Sequence, residues 1–388
     1  MRHTVPVVIA ICTAALALAT AQEESIRLPG QVRFLQSAGD EAIRFISPTH
    51  TVQLRSQPPK GVKLPAWANA SCRYGVLKLG KPPQEWHLVM DPASTRAVID
   101  ANRNSDLTDD EVLRGSADPT WYFGTCYGPF RLAVPLNGVP VSRYFSLIHD
   151  ETGSSSVYLR CEDYRLFEGE VNGEAVKIAL LDANADGAFD TPAKSRWEGD
   201  KCVFLPDREQ RPLPRYHKLG DRTYRLTFAP DGSACEFEPS EISTGTVLAD
   251  YPQVHLTAVG KEVGYWEAST TDGRLQLPTD EYSVLAYRFG TRDSRGNQWQ
   301  VEITPMDPLP LKVSAGENRF SLPKQLTATL GFGTRQGDTL NISLALYAGS
   351  RTQQVSSLAK NDNLPPPPTL RIVDRNGKTV KVETFHYG

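Results

Sequence analysis

The stretch Glu168-Gly-Glu-Val-Asn-Gly-Glu-Ala-Val-Lys-Ile-Ala-Leu-Leu-Asp182-Ala-Asn-Ala-Asp-Gly-Ala-Phe-Asp190 carries the reading of this chain. It contains a strand-like run, the turn pair Asn172-Gly173, a second strand-like run from Val176 to Leu181, and a loop crowded with side-chain oxygens. Asn-Gly between two apolar runs is a strong hairpin signal, because Asn and Gly accept the positive φ that a two-residue β-turn demands. A related order of signals occurs upstream. Tyr74-Gly-Val-Leu-Lys-Leu-Gly80 is followed by Trp86-His-Leu-Val-Met and then by Val98-Ile-Asp100-Ala-Asn-Arg-Asn-Ser-Asp106-Leu. The two loops begin 82 residues apart, at Asp100 and Asp182, and read as an internal repeat.

Working outward, the same punctuation covers the chain. Phe130-Arg-Leu-Ala-Val, Tyr144-Phe-Ser-Leu-Ile, Tyr224-Arg-Leu-Thr-Phe, Leu340-Asn-Ile-Ser-Leu-Ala-Leu and Leu370-Arg-Ile-Val are short runs of strand-forming residues. Asn137-Gly138, Asp231-Gly232, Asp272-Gly273 and Asn376-Gly377 are further turn signals. With 29 Gly and 29 Pro in 388 residues, long helices have little room. The pattern suits sandwiches or partly open barrels better than βαβ units. The expected fold class is mostly β: a duplicated β-domain with acidic loops, followed by a β-sandwich of immunoglobulin or prealbumin type. The expected division is an extended segment at 22–65, a first repeat at 66–160 with its loop at 100–111, a second at 161–249 with its loop at 182–190, and a sandwich at 250–388.

The first residues look like an address. A basic start at Arg2, an apolar run from Val5 to Leu18 and Ala19-Thr-Ala21 describe a secretory signal peptide at 1–21, with cleavage after Ala21. The apolar run is shorter than the ~20 residues that span a bilayer. The expected location is therefore secreted, periplasmic or cell-surface, with no membrane span after cleavage. Cys72, Cys126, Cys161, Cys202 and Cys235 remain, either as two bridges and one thiol or as small core residues. A formal net charge of −3 argues against a nucleic-acid partner, which selects a basic stripe.

The loops point to calcium. Asp100, Asn102, Asn104, Asp106, Thr108 and Glu111 place oxygen side chains at loop positions 1, 3, 5, 7, 9 and 12. Alternate residues of a tight loop can turn inward, and calcium takes six to eight oxygens at about 2.3–2.6 Å. Leu107 suits an apolar anchor onto the core, and the segment from Leu107 to Leu113 can form a short helix. In this spacing the loop resembles the EF-hand calcium loop of calmodulin and dockerin type. That resemblance implies side-chain ligation by Asp100, Asn102 and Asn104, a carbonyl or carboxylate from Asp106, a direct or water-borne contact from Thr108, and a bidentate Glu111. Ser105 stands where that family has Gly, and strand-like flanks replace its two helices. The second loop keeps Asp182, Asn184, Asp186, the Ala188 carbonyl and Asp190, with Gly187 at the turn. Ala193 occupies position 12, so Asp200 or Glu198 is expected to complete the shell. More broadly the chain looks like secreted bacterial β-proteins with repeated D-x-N-x-D-G-x-F-D loops, which implies calcium and export.

Catalytic motifs are sparse. The sequence has no H-E-x-x-H, no G-x-S-x-G and no phosphate-binding glycine loop. Trp121 and Tyr122, between Pro119 and Gly124, are candidate exposed aromatics for an extracellular carbohydrate or protein partner. Leu275-Gln-Leu-Pro278-Thr-Asp-Glu-Tyr282 resembles the strand entry of prealbumin-like and carboxypeptidase-regulatory-like domains, which are non-catalytic. The expected function is a calcium-stabilised, non-catalytic binding, adhesion or accessory module. The alternative is a secreted, polysaccharide-active hydrolase whose carboxylate pair carries no motif.

Overall fold

The computed structural model describes residues 25–35, 50–117, 124–150, 155–189, 199–206, 209–336, 339–349 and 352–386. The segment expected to be a signal peptide, 1–21, lies outside them, as do Trp121, Tyr122, Asp190 and Glu198. The described chain is nearly all β, arranged in several sheets. No α-helix forms between Leu107 and Leu113; a turn there leads into the strand Val112–Ala117. No helix among the described residues is long and apolar enough to cross a membrane.

The first unit is an eight-stranded sheet. Its spatial order is His50–Gln53, Ser156–Cys161, Val139–Asp150, Gly124–Leu136, Val112–Ala117, Arg96–Ile99, Gln84–Asp91, Arg73–Leu79. The two ends of this order meet. Arg55 N donates to Tyr74 O at 2.8 Å and Tyr74 N to Arg55 O at 2.9 Å. Eight antiparallel strands thus close into a barrel, whose interior at this strand number is just wide enough for side chains to fill. Alternation along each strand supplies the filling: Leu77, Leu79, Trp86, Leu88, Phe145 and Leu147 are fully buried.

The second unit is another eight-stranded sheet, in the order Arg211–Pro212, Lys201–Phe204, Glu174–Leu181, Asp163–Val171, Ile26–Phe34, Ala234–Pro239, Arg222–Phe228, Tyr216–Leu219. The segment expected to be extended at 22–65 contributes a strand to each of the two units. Ile26–Phe34 is an inner strand of the second unit, and His50–Gln53 belongs to the barrel. The N-terminal chain therefore ties the two units together. Pro29 and Gly30 obscured this strand in the sequence. Gly30 is needed there because a Cβ would lie 1.9 Å from Gly232 O.

The C-terminal sandwich packs the strands Arg274–Pro278, Thr244–Ala249 and Gly316–Phe320 against a larger sheet running from Gly264–Thr270 to Leu326–Gln336. Asp272-Gly273 is not a hairpin turn, because its flanking strands belong to different sheets. Tyr282, buried in this core, donates its hydroxyl to Pro278 O at 2.9 Å. All five described cysteines are free thiols, and Cys72, Cys161, Cys202 and Cys235 are buried. Cys161, Cys202 and Cys235 fill core space on separate strands, and Cys72 does so just before the strand Arg73–Leu79.

Candidate metal centres in the paired acidic loops

Both loops link neighbouring antiparallel strands. The first leaves Arg96–Ile99 and returns through Val112–Ala117; the second leaves Glu174–Leu181 and returns through Lys201–Phe204. Their backbones match residue for residue. Arg103 and Ser105 have φ of 60° and 63°, and the corresponding Ala185 and Gly187 have 50° and 91°. Asn102 Oδ1 accepts from Asn104 N at 2.9 Å, as Asn184 Oδ1 does from Asp186 N at 3.0 Å. Asn104 Oδ1 accepts from Asp106 N at 2.7 Å, as Asp186 Oδ1 does from Ala188 N at 2.8 Å. Asp100 Oδ2 accepts from Ser105 N and Asp182 Oδ2 from Gly187 N, both at 3.0 Å. Leu107 and Phe189 hold equivalent anchor places and are buried. Short Asx side chains tolerate the left-handed turns and cap the amides that such turns expose.

Ser105 adopts the conformation that its counterpart Gly187 adopts without a Cβ. A left-handed residue with a Cβ costs about 1–2 kcal/mol. Ser105→Gly is therefore expected to stabilise the barrel by about 1 kcal/mol after the added chain entropy of glycine, read as a shift in its urea midpoint at constant slope.

The strand register adds a feature that the loop spacing does not show. Val98 faces Val112, so continuing the register two residue pairs outward sets Asp110 opposite Asp100. Leu181 faces Lys201, so continuing that register by one pair sets Asp200 opposite Asp182. Each loop thus opens on an aspartate facing another aspartate from the returning chain. Asp100, Asp182 and Asp200 are all buried. Asp110 Oδ2 and Asp182 Oδ1 are buried oxygens with no hydrogen-bond partner. Burial pushes the Asp110 carboxyl above its ordinary range, reinforced by the charges of Asp100 and Asp109. Burial pushes Asp182 up to about 7, against the pull of Arg143 and with the repulsion of Asp186 and Asp163. Anionic oxygens that are buried and short of donors fit a hard cation.

The expected ligands divide accordingly. Asp100, Asn102 and Asn104 are brought together, and Asp109 and Asp110 fold back onto them. Asp109 Oδ2 accepts from Asn104 Nδ2 at 2.8 Å, and Asp110 Oδ1 from Ala101 N at 3.1 Å. Thr108 and Glu111 are exposed. Asp106 turns its carboxylate to Lys63 Nζ at 2.7 Å; that bond and those from Thr108 hold its pKa down at about 2. Sequence reasoning missed Asp109 and Asp110. Counting register outward from the last paired valines would have found Asp110, but only once the pairing was known. Among the described residues, no three His, Cys, Asp or Glu side chains already converge as a metal cage.

Other concave surfaces carry different chemistry. A groove of about 360 Å³ in the sandwich is walled by Tyr251, Phe289 and Trp299, with Lys324 as its charged residue. A larger groove of about 1050 Å³ lies between Leu340–Leu346 and the terminal hairpin, with Lys381, Glu383 and His386 at its edge. The buried Asp182, with its raised pKa, lines neither groove. Comparison of the chain with protein-family models, with curated proteins and with solved structures finds no match.

Proposed function

We propose that this chain is an exported calcium-binding, non-catalytic β-protein in which calcium stabilises the structure, acting as a binding, adhesion or accessory module at or beyond the cell surface. The observation that carries this reading is the buried, partnerless carboxylate oxygen in each of two matching loops, Asp110 Oδ2 and Asp182 Oδ1. Asp100, Asn102, Asn104 and Asp110 would hold one ion, with Asp109 at its side. Asp182, Asn184, Asp186, the Ala188 carbonyl and Asp200 would hold the other. Bound calcium would supply positive charge where the fold gathers carboxylates. The protein's part is to hold those oxygens inward on two fixed left-handed turns. Carbohydrate or protein at the cell surface is the partner class that accords with export and with the aromatic-walled groove.

Calcium that binds only the folded form stabilises it by about 2.7 kcal/mol per site at a hundredfold excess over Kd. For the two eight-stranded units melting together, about 200 residues, that corresponds to a Tm rise of about 5–10 °C. Calorimetric titration is expected to find two sites, and melting with calcium against melting with chelator to show the rise. An unchanged Tm together with no heat of binding refutes the calcium reading. N-terminal sequencing of the exported chain is expected to begin at Gln22; retention of the leader refutes the export reading.

A further inference from the structure

The two loops share a backbone but not a neighbourhood. Loop 100–111 lies on its own unit: Ala101, Asn102, Arg103 and Asn104 are exposed, and Leu107 packs with Val89 and Val98 on the barrel's outer face. Loop 182–190 belongs to the second unit by chain connection, yet its described part, Asp182 to Phe189, is inserted into the first. Ala185 and Ala188 are part of the barrel's interior core. Gly187 meets the barrel wall so closely that a Cβ would stand 2.5 Å from Val134 Cγ1. Gly80 N, in a barrel turn, donates to Asp186 O at 2.7 Å. The His50 side chain, also of the barrel, hydrogen-bonds the Asn184 backbone.

One barrel side chain reaches into this loop from below. Arg143 is fully buried. Its Nε donates to both oxygens of Asp163 at 3.1 and 3.2 Å, and its Nη1 donates to Gly187 O. Its Nη2 lies 3.1 Å from Asp182 Oδ2. Its guanidinium carbon stands 4.2 Å from the centre of the Phe189 ring, and Arg165 approaches the same ring at 5.0 Å. Asp182 is thus held on one oxygen by a barrel arginine, while its other oxygen is fully enclosed and meets no donor. That enclosed oxygen points to a cation inside the joint.

We infer that a calcium ion in loop 182–190 is a joint between the two eight-stranded units: it fixes the loop that plugs the barrel end, so ion binding at this site and docking of the units form a single equilibrium. The inference rests on the calcium reading above and adds to it a division of labour. The ion of loop 100–111 braces one unit, whereas the ion of loop 182–190 binds two units together. Linkage makes the coupling reciprocal: what the ion contributes to docking, docking contributes to ion affinity.

Amide hydrogen exchange of the full chain tests it, with calcium added as the sole probe. The Gly80 amide reports the joint through Asp186 O. The Lys63 amide, bonded to Ser105 O at 2.8 Å, reports loop 100–111. If opening of the joint requires loss of the ion, exchange slows by 1 + [L]/Kd, about a hundredfold at a hundredfold excess. Calcium is expected to protect Gly80 in the unmodified chain and in Asp110→Asn, but not in the near-isosteric Asp186→Asn. Should Asp186→Asn fail to fold, a calcium titration of the unmodified chain decides, because the two reporter amides respond to separate sites. Two bound ions with no change at Gly80 overturn the joint and leave the calcium reading standing. No bound calcium at all overturns both.

Discussion

Replacing Arg143 with Met is expected to lower the unfolding free energy by about 3–5 kcal/mol, the cost of removing one partner from a buried ionic network. The size follows from what remains behind. Asp163 would stay buried with Arg165 as its remaining guanidinium, at 2.6 Å, and the Tyr144 amide at 3.0 Å. Burial pulls Asp163 upward in pKa, and Arg143 and Arg165 together outweigh it and hold the group below its ordinary value. Asp182 would lose its only cationic side-chain contact among the described residues. Met retains most of the volume, so the loss reads as charge and hydrogen bonding more than as a cavity. Urea unfolding followed by near-ultraviolet circular dichroism measures it. A change under about 1 kcal/mol would mean that the network is solvated and that the two units do not meet at this residue.

The second large effect is expected at Trp86. It is the largest side chain that the fold encloses completely, and it fills the barrel interior beside Leu77, Leu88 and Phe145. Trp86→Ala would leave a cavity that a closed ring of strands cannot collapse, at a cost of about 3–5 kcal/mol. Trp86→Phe separates volume from hydrogen bonding. The indole Nε1 is buried without a partner, so its loss removes a polar penalty along with some contact area. The Phe variant is therefore expected to lie much closer to the parent in stability than the Ala variant. Equal costs for the two would contradict a filled barrel. The guanidinium of Arg103 stands 5.3 Å from the Trp86 ring centre, which sets loop 100–111 directly above this residue. Trp86→Ala should accordingly also weaken calcium binding at that loop, read by the same titration.

Local chemistry was legible where it acts over a few residues. The runs at Tyr74–Leu79, Val176–Leu181 and Tyr224–Phe228 lie within observed strands, because alternating apolar side chains need a buried face. Asn137-Gly138 and Asn172-Gly173 make hairpins with positive φ at all four residues. The Asx loops were also readable, since their turns are closed by their own side chains. Arg143 was not. A lone arginine in a strand reads as exposed, and nothing local announces that Asp163 and Asp182 will meet it.

By itself the sequence determined the β character, the turns and the two oxygen-rich loops, because propensity, hydrophobic alternation and Asx capping operate between neighbours in the chain. Only the tertiary structure decided that Arg55 closes on Tyr74, that Ile26–Phe34 crosses into the second unit, and that Asp110 and Asp200 come to face Asp100 and Asp182. Those are matters of register and burial. Shifting a strand by one residue turns its side chains to the opposite face, and which register prevails depends on the packing of whole sheets.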